Sequence, residues 1–192
     1  MTIPPEEDGT EPLASGSHTH AVASPGESAP FHFTTHWRFP QPSERVWALF
    51  QDIGRWHEWW PGVSRSTTLN AEAVEASQSA SRDRLCGGEG ARAALIVRRP
   101  FARGLRIVLT VSGTQPPASA RVEVTGDLRG HGHWRAVDDG GGCRVEIVWC
   151  VVTRMRFAAL ARWPSAWAHR RVMRGGWRGL RRRRASSATG EE

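Results

Sequence analysis

The sequence contains no lysine and no tyrosine, and it has only three cysteines. All 26 basic residues are therefore arginines, a uniformity that indicates a biased, GC-rich coding background. Excess positive charge in such a chain is weak evidence for selection toward a polyanion. The cysteines (Cys86, Cys143 and Cys150) are odd in number and form no Cys-x-x-Cys pair, so the sequence predicts neither structural disulfides nor a zinc site.

Long apolar runs are also missing. No stretch approaches the roughly 20 apolar residues that a transmembrane helix needs. The chain starts acidic and lacks the apolar run of about 7–15 residues typical of a secretory signal, so we expect a cytoplasmic protein. There is no helix-turn-helix spacing, zinc finger or RNA-binding signature, and we therefore expect no nucleic-acid partner.

Charge is distributed unevenly along the chain. Residues 1–30 hold five of the 19 acidic residues, no arginine, and many Pro, Ser, Gly and Ala. Such a segment buries too little apolar surface to offset its ordering entropy, which predicts a disordered N-terminal tail. Residues 31–192 carry 26 basic residues against 14 acids. The length favours one domain, which we assign to residues 31–184, followed by a disordered C-terminal tail at 185–192.

The residue pattern predicts one strand, two short helices and then a series of strands. Large and β-branched residues alternate over 31–39, as in a strand. Ser43 can cap a first helix, and Asp52 opens a second short helix, which is followed by the aromatic cluster Trp56, Trp59 and Trp60. Further strands are predicted at 63–69, 73–79, 92–98, 104–113, 119–126, 128–137 and 143–154. Their short connections favour an antiparallel sheet with one buried face.

The last predicted element is a long helix over residues 157–184. A stripe at helical spacing runs along one face and consists of Ala166, His169, Met173, Gly176 and Leu180. Arginines spread over the remaining surface. Pro164 should kink or restart the helix, and Gly175-Gly176 should weaken it locally.

Four stretches together resemble the Bet v 1-like, START-related helix-grip superfamily, in particular its bacterial polyketide cyclase/dehydrase and lipid-transport branch. They are Trp37–Pro40 followed by Glu44–Leu49, Asp52 with Trp56 and Trp59–Val63, Gly126–Trp134, and His169, Val172, Met173 and Gly176 in the last helix. The resemblance covers residues 31–184. It implies an α+β helix-grip fold, in which a curved antiparallel sheet of six or seven strands wraps around a long C-terminal helix, with two short helices after the first strand. It also implies an internal cavity for a hydrophobic small molecule or lipid-like ligand.

Glycines in the strand 128–137 are the main sequence evidence for a cavity. Gly130 and Gly132 leave two successive inward positions without side chains, which makes room for a ligand, for the long helix, or for sheet curvature. The tryptophans after the first helix can gate a cavity or simply hold the short helices on the sheet. The predicted ligand-binding residues are Trp56, Trp60, Ile107, Leu109, Val124, Gly130, Gly132, Trp134, Ile147, Trp149, His169 and Met173.

His169 is the only inward general acid or base that the pattern supports. Its ring can hydrogen-bond a ligand or transfer a proton, or it can be an ordinary, satisfied core histidine. Binding of a hydrophobic ligand is the first hypothesis. A polyketide cyclase or aromatase-like enzyme that uses His169 is the alternative. His131 and His133 lie on the face opposite the glycines and have no companions at a ligand spacing, so we predict no metal and no cofactor.

The run Arg181–Arg184 closes the predicted helix, where cations oppose the negative end of its dipole. These arginines can also contact anionic lipid headgroups transiently, at about 1 kcal/mol each, or they can simply be a solvated helix end. A third hypothesis is docking of this basic helix onto an acidic protein or a membrane surface. The sequence leaves the oligomeric state open.

Overall fold

The computed structural model describes residues 20–69, 88–99, 102–154 and 162–188. The strands are β1 (Phe31–Phe39), β2 (Val63–Thr68), β3 (Arg92–Arg99), β4 (Ala102–Gln115), β5 (Ser119–Gly126), β6 (Arg129–Asp138) and β7 (Cys143–Val152). The helices are α1 (Ser43–Phe50), α2 (Trp56–Trp59), which follows a 3₁₀ turn at Ile53–Arg55, and α3 (Arg162–Ala188). Of the described helices, none combines the length and the apolar composition needed to span a membrane.

All seven strands form one curved antiparallel sheet in the order β1-β7-β6-β5-β4-β3-β2. The first strand pairs with the last, from Phe31 opposite Val151 to Phe39 opposite Cys143. This confirms the predicted helix-grip architecture of a curved sheet, two short helices and a C-terminal helix. The strand predicted at 73–79 lies outside the described residues.

The two faces of the sheet bury different sets of side chains, because successive residues of a strand point to opposite faces. On β7, Val145, Ile147 and Val151 enter the main core, which also takes up the aromatic residues of the helices. Cys150 and Val152 point to the other face and pack with Ala21 in a second, smaller cluster. The main core therefore lies between the sheet and the helices, and the N-terminal segment covers part of the outer face.

Helix α1 is fixed to the sheet by a carboxylate from β6. Its N-cap position is Pro42, and Ser43, predicted as the cap, is instead the first helical residue. The backbone N–H and the hydroxyl of Ser43 donate to the two carboxylate oxygens of Asp138, at 2.8 and 2.9 Å. Asp138 thus accepts a hydrogen bond from one of the N–H groups that a helix start leaves without a partner. Its negative charge also interacts favourably with the positive end of the helix dipole.

Helix α3 packs against α2 and β1 through small residues. Gly176 lies against the indoles of Trp60 and Trp37, and Gly179 lies against the backbone carbonyl of Trp59. The indole N–H of Trp60 donates to the carbonyl of Val172 at 2.8 Å. A side chain at either glycine would overlap these groups, so the glycines that weaken the helix locally also allow its close approach.

The described residues differ from the predicted tail boundaries at both ends. Residues 20–30 already contact the sheet, because Glu27 forms a bidentate ion pair with Arg129 of β6. This hydrogen-bonded pairing lowers the pKa of Glu27 to about 2. Helix α3 continues to Ala188, since no glycine or proline follows Arg184 until Gly190.

Two alanine substitutions in α3 test the close packing of this helix. Gly179→Ala would place a methyl group on the Trp59 carbonyl, and we expect a loss of about 2 kcal/mol or more in the free energy of unfolding. Gly175→Ala meets only ordinary contacts and should be neutral or stabilising by up to about 1 kcal/mol, because alanine favours helix. Urea unfolding followed by circular dichroism measures both. Equal effects of the two substitutions would contradict this packing.

Candidate functional site

A small apolar cavity lies between the short helices and the inner face of β4–β7, with a volume of about 30 Å³. Its lining consists of Trp47, Phe50, Gln51, Ile53, Trp56, Trp60, Val111, Ala120, Val122, Gly132, His133, Trp134, Ile147 and Trp149. That volume holds roughly two water molecules. The cavity is thus an interior space with mainly aromatic and aliphatic walls, and it is much smaller than the roughly 300–1,000 Å³ of a typical ligand pocket.

Three of the five indoles that line the cavity donate their N–H groups to oxygens of the protein. Trp56 donates its indole N–H to the carbonyl of Phe50 at 3.0 Å. Trp47 donates to the side-chain oxygen of Gln51, also at 3.0 Å, and Trp60 donates to α3. A buried indole N–H without an acceptor would be costly, so these bonds fix the ring orientations. The surfaces that these three indoles present to the cavity are therefore apolar.

Trp149 occupies the space that Gly132 leaves open. A Cβ atom at Gly132 would lie 2.9 Å from the six-membered ring of Trp149, so the missing side chain accommodates this indole. Gly130 has a different role, because its φ of +147° is rarely adopted by residues with a side chain. A Cβ atom there would overlap the carbonyl of Cys150. Gly132 therefore borders the cavity, whereas position 130 is a glycine because its backbone conformation favours one.

The structure brings half of the predicted ligand-binding residues to the cavity. Those that line it are Trp56, Trp60, Gly132, Trp134, Ile147 and Trp149. Four others, Ile107, Leu109, Val124 and Met173, are buried in the main core. Gly130 and His169 are not among the described residues that line the cavity.

Sequence reasoning did not select several residues of the lining. They are Trp47, Phe50, Gln51, Ile53, Val111, Ala120, Val122 and His133. The apolar positions of α1 were an available signal, since Trp47 and Phe50 lie three residues apart and share one helix face. Which sheet positions this face meets depends on the docking of α1, to which the hydrogen bonds from Ser43 to Asp138 contribute.

His169 packs on the edge strand β1. Its ring stacks on Phe33 with centroids 4.3 Å apart, and its Nε2 lies 3.2 Å from the hydroxyl of Thr35. Burial lowers the pKa of His169 to about 4, because desolvation disfavours the charged ring. The imidazole is therefore neutral at pH 7 and is held by a stacking partner and a hydroxyl.

A strongly basic groove lies between the solvent-facing side of α3 and the turn before β2. This groove has a volume of about 700 Å³, and its arginines are Arg98, Arg170, Arg171, Arg174, Arg178 and Arg182. Further along α3, the guanidinium of Arg181 lies over the indole of Trp177, 4.6 Å from the ring centroid. The side chains of Arg183 and Arg184 lie outside the described part of the molecule.

Comparisons with known proteins agree with this architecture. The chain is similar to a solved structure from Thermus thermophilus, at 18% identity and a TM-score of 0.63, over 81% of this chain and 98% of that one. A START superfamily protein from Mycobacterium smegmatis is similar at 10% identity and a TM-score of 0.58, over 79% and 95% of the two chains. The ZhuI aromatase/cyclase from Streptomyces sp. R1128 is similar at 14% identity and a TM-score of 0.57, over 79% and 92%.

No curated protein matches the sequence. The model of the polyketide cyclase/dehydrase and lipid transport family matches residues 30–185, which include the whole sheet and most of α3. The chain therefore belongs to the polyketide cyclase/dehydrase and lipid transport family.

Proposed function

We propose that this protein binds a hydrophobic small molecule or lipid-like ligand in the cavity between the short helices and the sheet. The observation that carries the proposal is the lining of this cavity, which is almost wholly apolar and rich in indole rings. Such walls hold a ligand by shape and apolar contact, with few polar anchors. Family membership and the similarity to a START superfamily protein support the same function.

Ligand entry requires the cavity to expand well beyond its volume of about 30 Å³. Trp149 and Trp47 are both half-buried and line the cavity. If the indole of Trp149 turns away from Gly132, the space above this glycine becomes free, because the glycine has no side chain of its own. We therefore propose that the protein adopts a contracted state when free and that Trp149 moves when a ligand binds.

Catalysis by His169 is less well supported than binding. A general acid or base works best with a pKa near the working pH, whereas the pKa of this ring is about 4. Its contacts with Phe33 and Thr35 place it at the β1 edge. We propose that His169 stabilises the contact between α3 and β1.

We also propose a transient contact between the basic side of α3 and anionic membranes. Arg181 and Arg182 are exposed, and Arg182 belongs to the basic groove. Each arginine near an anionic surface contributes about 1 kcal/mol, so several acting together give measurable binding at low salt. This contact would bring the protein to a source of lipid-like ligands.

A bulky substitution inside the cavity should prevent ligand binding. Ala120→Phe fills cavity space beside Trp134, and we expect at least about a tenfold loss of affinity for the neutral probe N-phenyl-1-naphthylamine, measured by fluorescence titration. Ala118→Phe, on the exposed turn before β5, is the matched control and should bind as the unsubstituted protein does. Failure of the unsubstituted protein to take up this probe or any fatty acid in native mass spectrometry would refute the proposed function.

The stability of the protein should depend on the protonation of His169. The folded-state pKa of about 4 lies below the ordinary value of about 6.5, so the unfolded chain binds the proton more readily between these pH values. The stabilisation is complete above about pH 6.5 and decreases as the pH falls toward 4. Its size is about 1–3 kcal/mol, reduced by the partial exposure of the ring.

Comparison with His169→Phe isolates this contribution, because phenylalanine can still stack on Phe33 but does not titrate. Urea unfolding between pH 4 and 7 should show a shallower loss of stability for His169→Phe than for the unsubstituted protein. A His169 ring that titrates near pH 6.5 in an NMR experiment would contradict the buried, neutral state.

Vesicle binding should depend on the arginines at the end of α3. We expect vesicles of phosphatidylserine and phosphatidylcholine to bind the protein at low salt, and simultaneous replacement of Arg181–Arg184 by glutamine to weaken this binding at least tenfold. A variant with glutamine at the exposed residues Arg65, Arg92, Arg121 and Arg135 removes the same charge from the sheet and is the control. Equal losses in both variants would show that net charge alone is responsible.

A further inference from the structure

The outer face of the sheet carries a cluster of metal-ligand side chains that has no part in the cavity. Cys150 on β7 stands directly opposite His32 on β1 in the strand register. His20, in the segment that covers this face, adds a second imidazole. One ligand atom from each of the three residues can be chosen so that all three atoms lie within 4.8 Å of one another.

The distance between Cys150 and His20 is close to that of two ligands in a tetrahedral zinc site. Zinc binds sulfur at about 2.3 Å and imidazole nitrogen at about 2.0–2.1 Å, so a sulfur and a nitrogen on the same ion lie about 3.6 Å apart. The Sγ of Cys150 and the Nδ1 of His20 are 3.7 Å apart. The rings of His20 and His32 meet edge to face, with centroids 5.3 Å apart. Small side-chain adjustments would therefore bring three ligands onto one ion.

Two neighbouring groups suit metal binding, one beside the Cys150 sulfur and one beside the His32 ring. The backbone N–H of Ala21 donates to the Sγ of Cys150 at 3.2 Å, and such a bond stabilises negative charge on sulfur. The hydroxyl of Thr34 lies 3.4 Å from the Nε2 of His32, which is the kind of outer contact that orients a metal-binding imidazole. Ala21 directly follows His20 in the chain, and Thr34 is two residues after His32.

We propose that His20, His32 and Cys150 form a zinc site, with water in the fourth position. Two imidazoles and one thiolate match the ligand preference of Zn²⁺. The thiol of Cys150 releases its proton when the ion binds. The ion joins the N-terminal segment to β1 and β7, so that it acts together with the Glu27–Arg129 ion pair to hold this segment on the sheet.

The sequence shows no sign of this site because its ligands come from three distant segments. His20 and His32 are separated by 12 positions and Cys150 by a further 118, so no metal-binding spacing is visible. The pairing of β1 with β7 and the path of the N-terminal segment bring the ligands together.

Zinc titration of the full chain against a competing chelator tests the proposal. We expect one Zn²⁺ per chain and a loss of affinity of at least about 100-fold for His20→Ala, since removal of a direct ligand should cost more than the 10–100-fold typical of an outer contact. His20 is exposed, so this variant is expected to fold. Co²⁺ used as a probe should give the absorption bands of a tetrahedral cobalt–thiolate complex, and Cys150→Ser should abolish them.

Two matched substitutions control for general effects. His36→Ala removes an exposed histidine from the same strand and face as His32, and Cys143→Ser alters a cysteine as buried as Cys150 on the opposite face of β7. Both should retain the zinc affinity. Zn²⁺ should also raise the melting temperature of the unsubstituted protein but not that of His20→Ala. The proposal is overturned if cobalt gives no thiolate band, or if His36→Ala weakens zinc binding as much as His20→Ala does.

Discussion

The position of the C-terminal helix depends on the contact between Trp60 and the glycine-containing face of α3. The Trp60 indole donates its N–H to the carbonyl of Val172, and its ring lies against Gly176. A buried indole needs both an acceptor and space, and this face of the helix supplies both. Because Trp60 also contacts Trp37 of β1 and lines the cavity, one residue links the helix, the first strand and the proposed binding site.

The same requirement for buried acceptors explains the form of the cavity. Each of Trp47, Trp56 and Trp60 directs its N–H to an oxygen of the protein, so the cavity receives their apolar surfaces. Trp149 is half-buried, and its ring lies over Gly132, which has no Cβ atom. The hydrogen-bonded indoles thus form a defined wall, and Trp149 is the residue whose movement can change the cavity volume.

The alternation of side chains along β7 separates two chemical environments. Cys143 faces the main core, where burial and the nearby carboxylates of Asp138 and Asp139 raise the pKa of its thiol to about 11. Cys150, seven positions later, faces the outer side, where it contacts histidines and a backbone N–H. Two residues of a strand that are an odd number of positions apart point to opposite faces of the sheet. The inner thiol is therefore held in its neutral form, while the outer one lies among potential metal ligands.

Much of the fold follows from local patterns in the sequence. The alternation over Phe31–Phe39 determined a strand with the bounds that the structure has, and the pattern before Gly126 did the same for β5, because a period of two needs no distant information. The tertiary structure alone decided that Asp138 caps α1, that His169 stacks on Phe33 at the sheet edge, and that Trp149 fills the space over Gly132. These contacts join residues that are distant in sequence or lie on neighbouring strands. A linear pattern specifies which face a side chain occupies, whereas only the packed chain specifies what it meets there.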